Sequence, residues 1–124
     1  MQVLVTGGTG YIGSHTVVQL LNAGFKVVVI DNLSNSSSVV CDKIRSLTGK
    51  DFVFIDGDIR DIAKLVDVFR RFEFISVLHF AGLKSVGESA SMPITYYENN
   101  VAGLLVLLRV MAEYNVKSLI FSSS

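Results

Sequence analysis

The chain has 124 residues, half of them hydrophobic, which is the length of one ordinary domain with a core of normal size. Eleven basic residues balance eleven acidic ones, and no block of like charge stands out. This balance argues against a nucleic-acid or anionic-membrane partner and favours a small, compact ligand. We therefore expect a single domain over residues 1–124.

The single cysteine, the N-terminal sequence and the longest apolar stretch indicate in which cellular compartment the protein resides. Cys41 cannot form an internal disulfide, and the start MQVLVTGG has no basic segment followed by a long apolar stretch and a cleavage site. The longest strongly apolar stretch, residues 103–108, is far shorter than the roughly 20 residues that span a bilayer. These features predict a soluble protein of the reducing cytoplasm.

Five short apolar runs predict β-strands. They cover residues 3–5, 26–30, 52–55, 75–80 and 119–121. Each is rich in β-branched or aromatic residues and is continuous rather than alternating, which is typical of parallel strands with both faces covered. Runs such as FVFI also fit pieces of buried helix, but their length and the flanking GKD and DGD favour strands.

Segments between these runs show the periodicity of helices. In residues 61–72 the apolar side chains follow the i, i+3, i+4, i+7 spacing of an amphipathic helix. A longer helix is predicted over residues 93–114, with Ser91 as N-cap, Pro93 in its first turn and Asn115 able to end it in a left-handed conformation. The polar stretch NLSNSSS predicts a loop. Alternating strands and helices predict an α/β fold with a doubly wound parallel sheet of about five strands.

The stretch VLVTGGTGYIGSH follows the first strand and opens a helix. Gly8, Gly10 and Gly13 fit the pattern G-x-G-x-x-G, and Gly7, Gly10 and Gly13 fit G-x-x-G-x-x-G. Such glycines permit a tight turn, let the backbone approach a pyrophosphate, and let helix and strand pack closely. The N-terminus of the helix then favours the anion through its free N–H groups and its dipole. Alone, a glycine pattern is weak evidence, because any strand-to-helix turn can use glycine.

Asp31 strengthens the glycine pattern. It ends the second predicted strand and follows Gly13 by 18 residues, where an acidic side chain can accept hydrogen bonds from both hydroxyls of an adenosine ribose. The alternative is that Asp31 caps the DNLS turn. Since a carboxylate repels a 2′-phosphate and the next basic residue is Lys43, the pattern favours NAD over NADP as the cofactor.

Ligands of an open α/β sheet lie outside the carboxyl ends of its strands, where this chain has polar loops. Asp58 can accept a hydrogen bond from an adenine amino group or cap the following helix. Lys84 can bind an anion or be an ordinary surface lysine. Asn99 or Asn100, inside the long helix, is expected to make a specific polar contact. His79, in an apolar strand, is interpreted as a packing residue rather than a catalytic one.

These motifs together resemble the extended short-chain dehydrogenase/reductase superfamily and, within it, the UDP-glucose 4-epimerase family. VTGGTGYIGSH, DNLSNSS, GDIRD, HFAGLKSVGES, YYENNVAG and IFSSS occur in that family's order and near its spacing, over all 124 residues. The glycine turn indicates only the superfamily, whereas HFAGLKSVGES and the triple serine are narrower. Related nucleotide-sugar dehydratases show a Ser-Thr-Asp type sequence in place of the triple serine. Family members often have Ala where Ser85 stands, a change that disturbs no implied contact.

The resemblance implies a Rossmann-type fold and a set of site residues. Ser124 matches the serine that hydrogen-bonds the 4-hydroxyl of the sugar and is the implied catalytic residue; no metal is implied. The implied NAD-binding residues are Gly7, Gly10, Tyr11, Ile12 and Gly13 for the pyrophosphate, Asp31, Asn32, Asn35 and Ser36 for the adenosine ribose, Asp58 and Ile59 for the adenine, and Phe80, Ala81, Gly82 and Lys84 for the nicotinamide side, with Asn99 completing the set.

The resemblance also implies a mechanism. A tyrosine takes the proton of the sugar's 4-hydroxyl while hydride passes from C4 to NAD, and the 4-keto sugar turns over before the hydride returns, which interconverts UDP-galactose and UDP-glucose. The lysine of a Tyr-x-x-x-Lys motif lowers the pKa of that tyrosine. No tyrosine follows Tyr114 and no lysine follows Lys117. We therefore expect the N-terminal, NAD-binding part of such an enzyme, inactive alone and with an exposed edge strand.

Two other functions stay open on the sequence. One is a related NAD-dependent nucleotide-sugar dehydratase or decarboxylase. The other is a natural short protein that binds NAD, or a partner chain, without catalysis.

Because members of the family are commonly homodimers, the helix predicted over residues 93–114 is also expected to contribute to a dimer interface.

Overall fold

A computed structural model describes residues 1–8, 11–32, 37–80 and 93–121. Within these ranges, five parallel strands form one sheet in the order β3-β2-β1-β4-β5. The strands are β1 (Gln2–Thr6), β2 (Lys26–Asp31), β3 (Val53–Asp56), β4 (Ser76–His79) and β5 (Leu119–Phe121). The helices are α1 (Tyr11–Asn22), α2 (Ser37–Thr48), α3 (Ile62–Arg71) and α4 (Pro93–Glu113). The predicted Rossmann-type α/β sheet is confirmed, and every predicted strand is present to within one residue at each end.

The sheet is covered on both faces, which explains its continuous apolar strands. Leu4 of β1 and Val28 of β2 belong to a core that they share with α3 and α4. Their neighbours Val3, Val5 and Val27 belong to a second core, shared with α1 and α2. Because successive side chains of a strand point to opposite faces, a strand between two helical layers is apolar at every position.

Helices α3 and α4 begin and end close to the predicted positions. Asp61 is the N-cap of α3, since its carboxylate accepts a hydrogen bond from the backbone N–H of Lys64 at 3.2 Å. The alternative that Asp58 caps this helix is therefore wrong. Asn115 follows α4 with a φ of 61°, in the left-handed conformation predicted for it. The predicted N-cap of α4, Ser91, lies outside the described residues.

Helix α2 differs from the sequence prediction. The polar stretch NLSNSSS was predicted as a loop, but its last two residues, Ser37 and Ser38, are the first turn of α2. Serine and β-branched residues are modest helix formers, so this segment has little intrinsic helix signal. Tertiary packing overrides that preference, because Cys41 and Ile44 are 3% and 2% exposed in the core with α1.

Strand β5 lies at the edge of the sheet as the described residues define it. Two of its three side chains, Ile120 and Phe121, are 55% and 52% exposed, in agreement with the predicted exposed edge strand. Within the described ranges, no helix is both long enough and apolar enough to cross a membrane.

The N-cap of α3 gives a test of the fold. We expect Asp61→Ala to lower the free energy of unfolding by about 1 kcal/mol, because the N–H of Lys64 loses its acceptor. Asp67→Ala removes the same charge from the middle of α3, where Asp67 pairs with Arg71 at 3.5 Å on the surface, and should cost less than about 0.5 kcal/mol. Urea denaturation measures both values, and equal losses would contradict the capping role.

Candidate functional site

The strand order reverses between β1 and β4. From β1 the chain builds outward to β2 and β3, and it then crosses to the other side of β1 to form β4 and β5. All strands are parallel, so their carboxyl ends meet at one edge. In open α/β sheets, ligands bind outside the carboxyl ends at such a reversal point. The candidate site is therefore the carboxyl edge of the sheet around β1.

Backbone hydrogen bonds join the loops at this edge. Just beyond β1, the N–H of Gly7 donates to the carbonyl of Ile30 at 2.9 Å. Just beyond β3, the N–H of Gly57 donates to the carbonyl of Asp31 at 3.0 Å. The sheet ladder thus continues past the ends of the strands and fixes the starts of two loops relative to β2.

The glycine turn places the first turn of α1 directly against the end of β1. Gly7 has a φ of 73°, which lies in a backbone region that residues with a Cβ rarely adopt. A Cβ at position 13 would lie 2.3 Å from the carbonyl oxygen of Gly7 and 3.0 Å from the Cα of Gly8. Only glycine therefore allows this close approach of helix and turn, which is the third glycine role predicted from the pattern.

The N-terminus of α1 suits an anion. The helix begins at Tyr11, and its first turn carries no acidic residue that would repel a negative group. Ile12, in that turn, has a side chain that is 43% exposed. Unpaired N–H groups and the positive end of the helix dipole favour a phosphate at such a position.

Asp31 lies at the carboxyl end of β2, beside the glycine turn. Its side chain is partly exposed, and Asn32 after it is exposed. Asp31 is the last residue of the register that pairs β2 with β3, opposite Asp56. The carboxylate predicted to contact a ribose is therefore at the same edge as Gly7 and the start of α1.

Arg60 holds the carboxylate of Asp58 in the loop after β3. The guanidinium Nη2 lies 2.6 Å from Oδ2, Nε lies 3.1 Å from Oδ1, and the backbone N–H of Arg60 donates to Oδ1 at 2.9 Å. The hydrogen bond to Asp58 raises the pKa of the Arg60 guanidinium. Between them, Ile59 is 9% exposed and its side chain packs in the core with α3 and α4. The adenine contact predicted for Ile59 thus concerns its backbone groups.

A buried polar contact closes the end of β4 onto β1. Thr6 Oγ1 lies 2.6 Å from His79 Nδ1, and the N–H of Phe80 donates to the backbone carbonyl of Thr6 at 2.8 Å. His79 is 1% exposed, and the Phe121 ring lies 5.4 Å from its ring. Burial lowers the pKa of His79 to about 4, so its imidazole is neutral at pH 7. This burial agrees with the interpretation of His79 as a packing residue.

Two of these residues, Thr6 and Arg60, were not predicted from the sequence. Each has a signal in the sequence. Thr6 is a polar residue at the end of a buried apolar strand, and Arg60 is a cation two positions after an acidic loop residue. Phe80 was predicted near the nicotinamide, and its side chain is 7% exposed in the core with α1 and α2, which leaves its backbone to that role.

Some of the predicted site residues lie at this edge of the sheet, and others lie outside the described residues. The described part of the chain brings together Gly7, Ile12, Gly13, Asp31, Asn32, Asp58, Ile59 and Phe80 on the loops and ends that follow β1 to β4. Tyr11 and Asn99 are placed only as backbone, in α1 and α4. Outside the described residues are Gly10, Asn35, Ser36, Ala81, Gly82, Lys84 and Ser124.

A cavity of about 410 Å³ lies at the opposite edge, near the amino ends of β1, β2 and β3. Lys26 and Lys50 are among its lining residues, but Lys50 Nζ donates to the carbonyl of Leu21 at 2.8 Å and so stabilises the end of α1. The loops and helix N-terminus suited to a dinucleotide are at the carboxyl edge instead. In the described ranges no group of three or more His, Cys, Asp or Glu side chains is arranged to hold a metal ion.

The fold and the carboxyl edge define an α/β protein of the Rossmann type, and the chain matches a family of that class. A family model described as GDP-mannose 4,6 dehydratase matches residues 4–124. The chain therefore belongs to this family.

Individual relatives narrow the assignment to one kind of enzyme within the family. A UDP-glucose 4-epimerase of Yersinia pestis is 57% identical over 124 residues, which cover all of this chain and 37% of that protein. A UDP-glucose 4-epimerase of Klebsiella pneumoniae is 52% identical over all of this chain and 89% of its own length. The chain belongs among the UDP-glucose 4-epimerases, and it spans 37% of the length of relatives such as the Yersinia protein.

A solved structure agrees with this assignment. The crystal structure of the UDP-glucose 4-epimerase from Bifidobacterium longum, in complex with NAD⁺ and UDP, superposes with a TM-score of 0.95. The two chains are 51% identical, and the match covers all of this chain and 37% of the other. The resemblance stated from the sequence motifs is confirmed.

The buried His79 predicts a loss of stability in acid. Its pKa is about 4 in the folded state and about 6.5 in an unfolded chain, so the stability is fully present above pH 6.5 and is lost as the pH falls towards 4. The loss should be about 3 kcal/mol.

We expect His79→Phe to make the free energy of unfolding less dependent on pH between 7 and 4.5. His15→Asn changes an exposed histidine of α1 and serves as the control, which should keep the pH dependence of the wild type. Chemical denaturation at both pH values measures the difference. Identical pH dependence of wild type and His79→Phe would show that burial does not keep this imidazole neutral.

Proposed function

We propose that this chain binds NAD at the carboxyl edge of its sheet and is the cofactor-binding part of a UDP-glucose 4-epimerase. The observation that carries the proposal is the contact between Gly13 and Gly7, where a Cβ would be only 2.3 Å from the carbonyl oxygen. This contact brings the N-terminus of α1 beside the end of β1. Structural relatives from Bifidobacterium longum and Thermus thermophilus were crystallised with NAD, which supports the same cofactor here.

Each part of the dinucleotide has a group of suited chemistry at this edge. The first N–H groups of α1 would hold the pyrophosphate, with Gly7 allowing the tight turn beside them. The carboxylate of Asp31 would accept hydrogen bonds from the ribose hydroxyls, and that of Asp58 from the adenine amino group. Residues outside the described ranges would add the contacts that the resemblance implies, with Asn35 and Ser36 at the ribose.

The chemistry of the full reaction divides between NAD and the protein. When bound, NAD supplies a reversible hydride acceptor for C4 of a UDP-sugar. The protein's part is to hold the sugar and to move the proton of its 4-hydroxyl, for which Ser124 would be a hydrogen-bond partner. None of the four tyrosines of this chain has a lysine four positions later, so the tyrosine base of the family motif is not among these 124 residues.

The exposed face of α4 supports a homodimer. Val101, Leu105 and Leu108 are 55%, 61% and 41% exposed, and their spacing of four and three residues places them on one face of the helix. A stripe of large apolar side chains exposed on one helix is typical of an interaction surface.

The free thiol of Cys41, buried in α2, fits the cytoplasmic location that we propose for the protein.

A nucleotide-sugar dehydratase is the second candidate, and one observation favours it. The family model that matches the chain is described as a GDP-mannose 4,6 dehydratase. Both activities begin with the same oxidation at C4 and share the NAD site. Product analysis of the longest natural form of the protein separates them, because an epimerase returns UDP-glucose and UDP-galactose while a dehydratase releases water and a keto-deoxy sugar.

Asp31 tests the cofactor site. We expect Asp31→Ala to weaken NAD binding about tenfold or more, because a hydrogen bond to a charged group contributes roughly 1.5 to 3 kcal/mol. The same change should reduce the preference for NAD over NADP, since the carboxylate that repels a 2′-phosphate is gone. Isothermal titration of both dinucleotides measures the two effects.

Asp42→Ala is the matched control for Asp31→Ala. It removes an exposed carboxylate from α2, where Asp42 lies 3.8 Å from Arg45, and should leave NAD binding unchanged. An unchanged NAD affinity in Asp31→Ala would show that this carboxylate does not contact the ribose.

The missing tyrosine predicts the activity of the polypeptide itself. We expect the 124-residue chain, pure and supplied with NAD, not to interconvert UDP-galactose and UDP-glucose, because no base is positioned to take the proton of the 4-hydroxyl. A coupled assay that detects UDP-glucose formed from UDP-galactose measures this. Turnover well above a blank without protein would show that another residue serves as the base.

A further inference from the structure

We propose that Arg60 is a positioning residue that fixes the carboxylate of Asp58 for the adenine amino group and thereby makes the site prefer adenine over hypoxanthine. The inference rests on the proposed NAD site. It concerns which base the dinucleotide carries, and it assigns this selectivity to a pair of residues rather than to Asp58 alone.

The contacts between the two residues leave the carboxylate little rotational freedom. Arg60 Nε lies 3.1 Å from Oδ1 and 3.0 Å from Oδ2, and Nη2 lies 2.6 Å from Oδ2. The backbone N–H of Arg60 also donates to Oδ1 of Asp58 at 2.9 Å. A planar guanidinium fork and a backbone donor of the same residue thus hold one carboxylate, and a lysine cannot reproduce that geometry.

Exposure indicates that this pair matters for orientation more than for stability. The side chains of Arg60 and Asp58 are 46% and 32% exposed. Ion pairs at such positions contribute little to folding, because water screens them. A partly exposed carboxylate is, however, accessible to a ligand.

The backbone that carries the pair is fixed from two sides. On one side, the N–H of Asp61, the N-cap of α3, donates to the carbonyl of Asp58 at 3.0 Å. On the other side, Gly103 of α4 leaves room for the loop. A Cβ at Gly103 would lie 2.8 Å from Ile59 Cδ1 and 3.6 Å from Arg60 Cγ. The absent side chain lets α4 pack against the loop, so the carboxylate is presented by a rigid segment rather than by a mobile one.

The chemistry of a fixed carboxylate explains the choice of base. An ionised carboxylate only accepts hydrogen bonds. Adenine presents an amino donor at its C6 position, whereas hypoxanthine presents a carbonyl oxygen there, which is an acceptor. The held carboxylate therefore gains a hydrogen bond with adenine and faces a second acceptor with hypoxanthine. A carboxylate that rotates freely can turn away from the carbonyl and loses this discrimination.

The test compares NAD with nicotinamide hypoxanthine dinucleotide, which differs from NAD at that position of the base. Isothermal titration of the wild-type chain should give an affinity for NAD that is at least about tenfold higher than the affinity for the hypoxanthine analogue. This ratio is the effect of one hydrogen bond to a charged group. Arg60→Gln should weaken NAD binding several-fold and change the affinity for the hypoxanthine analogue less than about twofold, so that the preference falls.

Two variants separate this role from a general effect. Arg71→Gln removes the same charge from the surface pair that Arg71 makes with Asp67 at 3.5 Å in α3, and it should keep the wild-type preference. Arg60→Lys keeps the charge and most of the aliphatic stem but not the fork, and it should still lose most of the preference. Its circular dichroism spectrum and melting temperature show whether the fold is retained.

The outcomes distinguish the two proposals. If the wild type binds neither dinucleotide, the proposed NAD function fails. If it binds NAD but Arg60→Gln and Arg60→Lys keep the wild-type preference, the role of Arg60 is overturned and the NAD site stands. If the wild type binds both dinucleotides equally, Asp58 does not read the base, and the inference about Arg60 is wrong.

Discussion

Close contact between the first turn of α1 and the end of β1 is the constraint on which the rest of the candidate site depends. A Cβ at Gly13 would lie 2.3 Å from the carbonyl oxygen of Gly7, so the helix can begin here only because residue 13 has no side chain. That contact sets the direction of α1 and brings its N-terminus to the carboxyl edge of the sheet. Hydrogen bonds from Gly7 to Ile30 and from Phe80 to Thr6 then fix the neighbouring strand ends around it.

Two-sided burial of the sheet holds these strand ends in register. The central strands pack against α1 and α2 on one face and against α3 and α4 on the other. A one-residue slip would exchange the side chains that face the two layers, which strongly specifies the register. The apolar core therefore contributes to function indirectly, because it keeps the loops after β1, β2 and β3 at fixed relative positions.

The sequence predicted the fold well for a physical reason. Continuous apolar runs and a glycine turn between strand and helix leave few alternatives, so the strands, α3 and α4 were predicted close to their observed bounds. The left-handed Asn115 was predicted because a helix end restricts which residues fit. The start of helix α2 was predicted as a loop, since its serine-rich sequence has weak intrinsic propensity and its helical form depends on the packing of Cys41 and Ile44.

The candidate site was predictable where a motif fixes the chemistry and less so where geometry does. Gly13 and Asp31 follow from spacing in the sequence. The roles of Asp58 and Asp61 could not be told apart from the sequence, because both precede a helix within four residues and only the hydrogen bond to Lys64 identifies the cap. The contact of Thr6 with His79 joins residues 73 positions apart, which no local pattern indicates.

An NMR titration of the ¹⁵N-labelled chain with NAD shows whether the dinucleotide binds at the carboxyl edge of the sheet. If NAD binds at the carboxyl edge, the largest shifts of backbone amides occur at Gly7, Ile12 and Gly13 and at Asp31. The amides of Phe25 and Lys50, beside the cavity at the opposite edge, should keep their positions. Shifts concentrated at that cavity, or no shifts at a large excess of NAD, would contradict a dinucleotide site at the carboxyl edge.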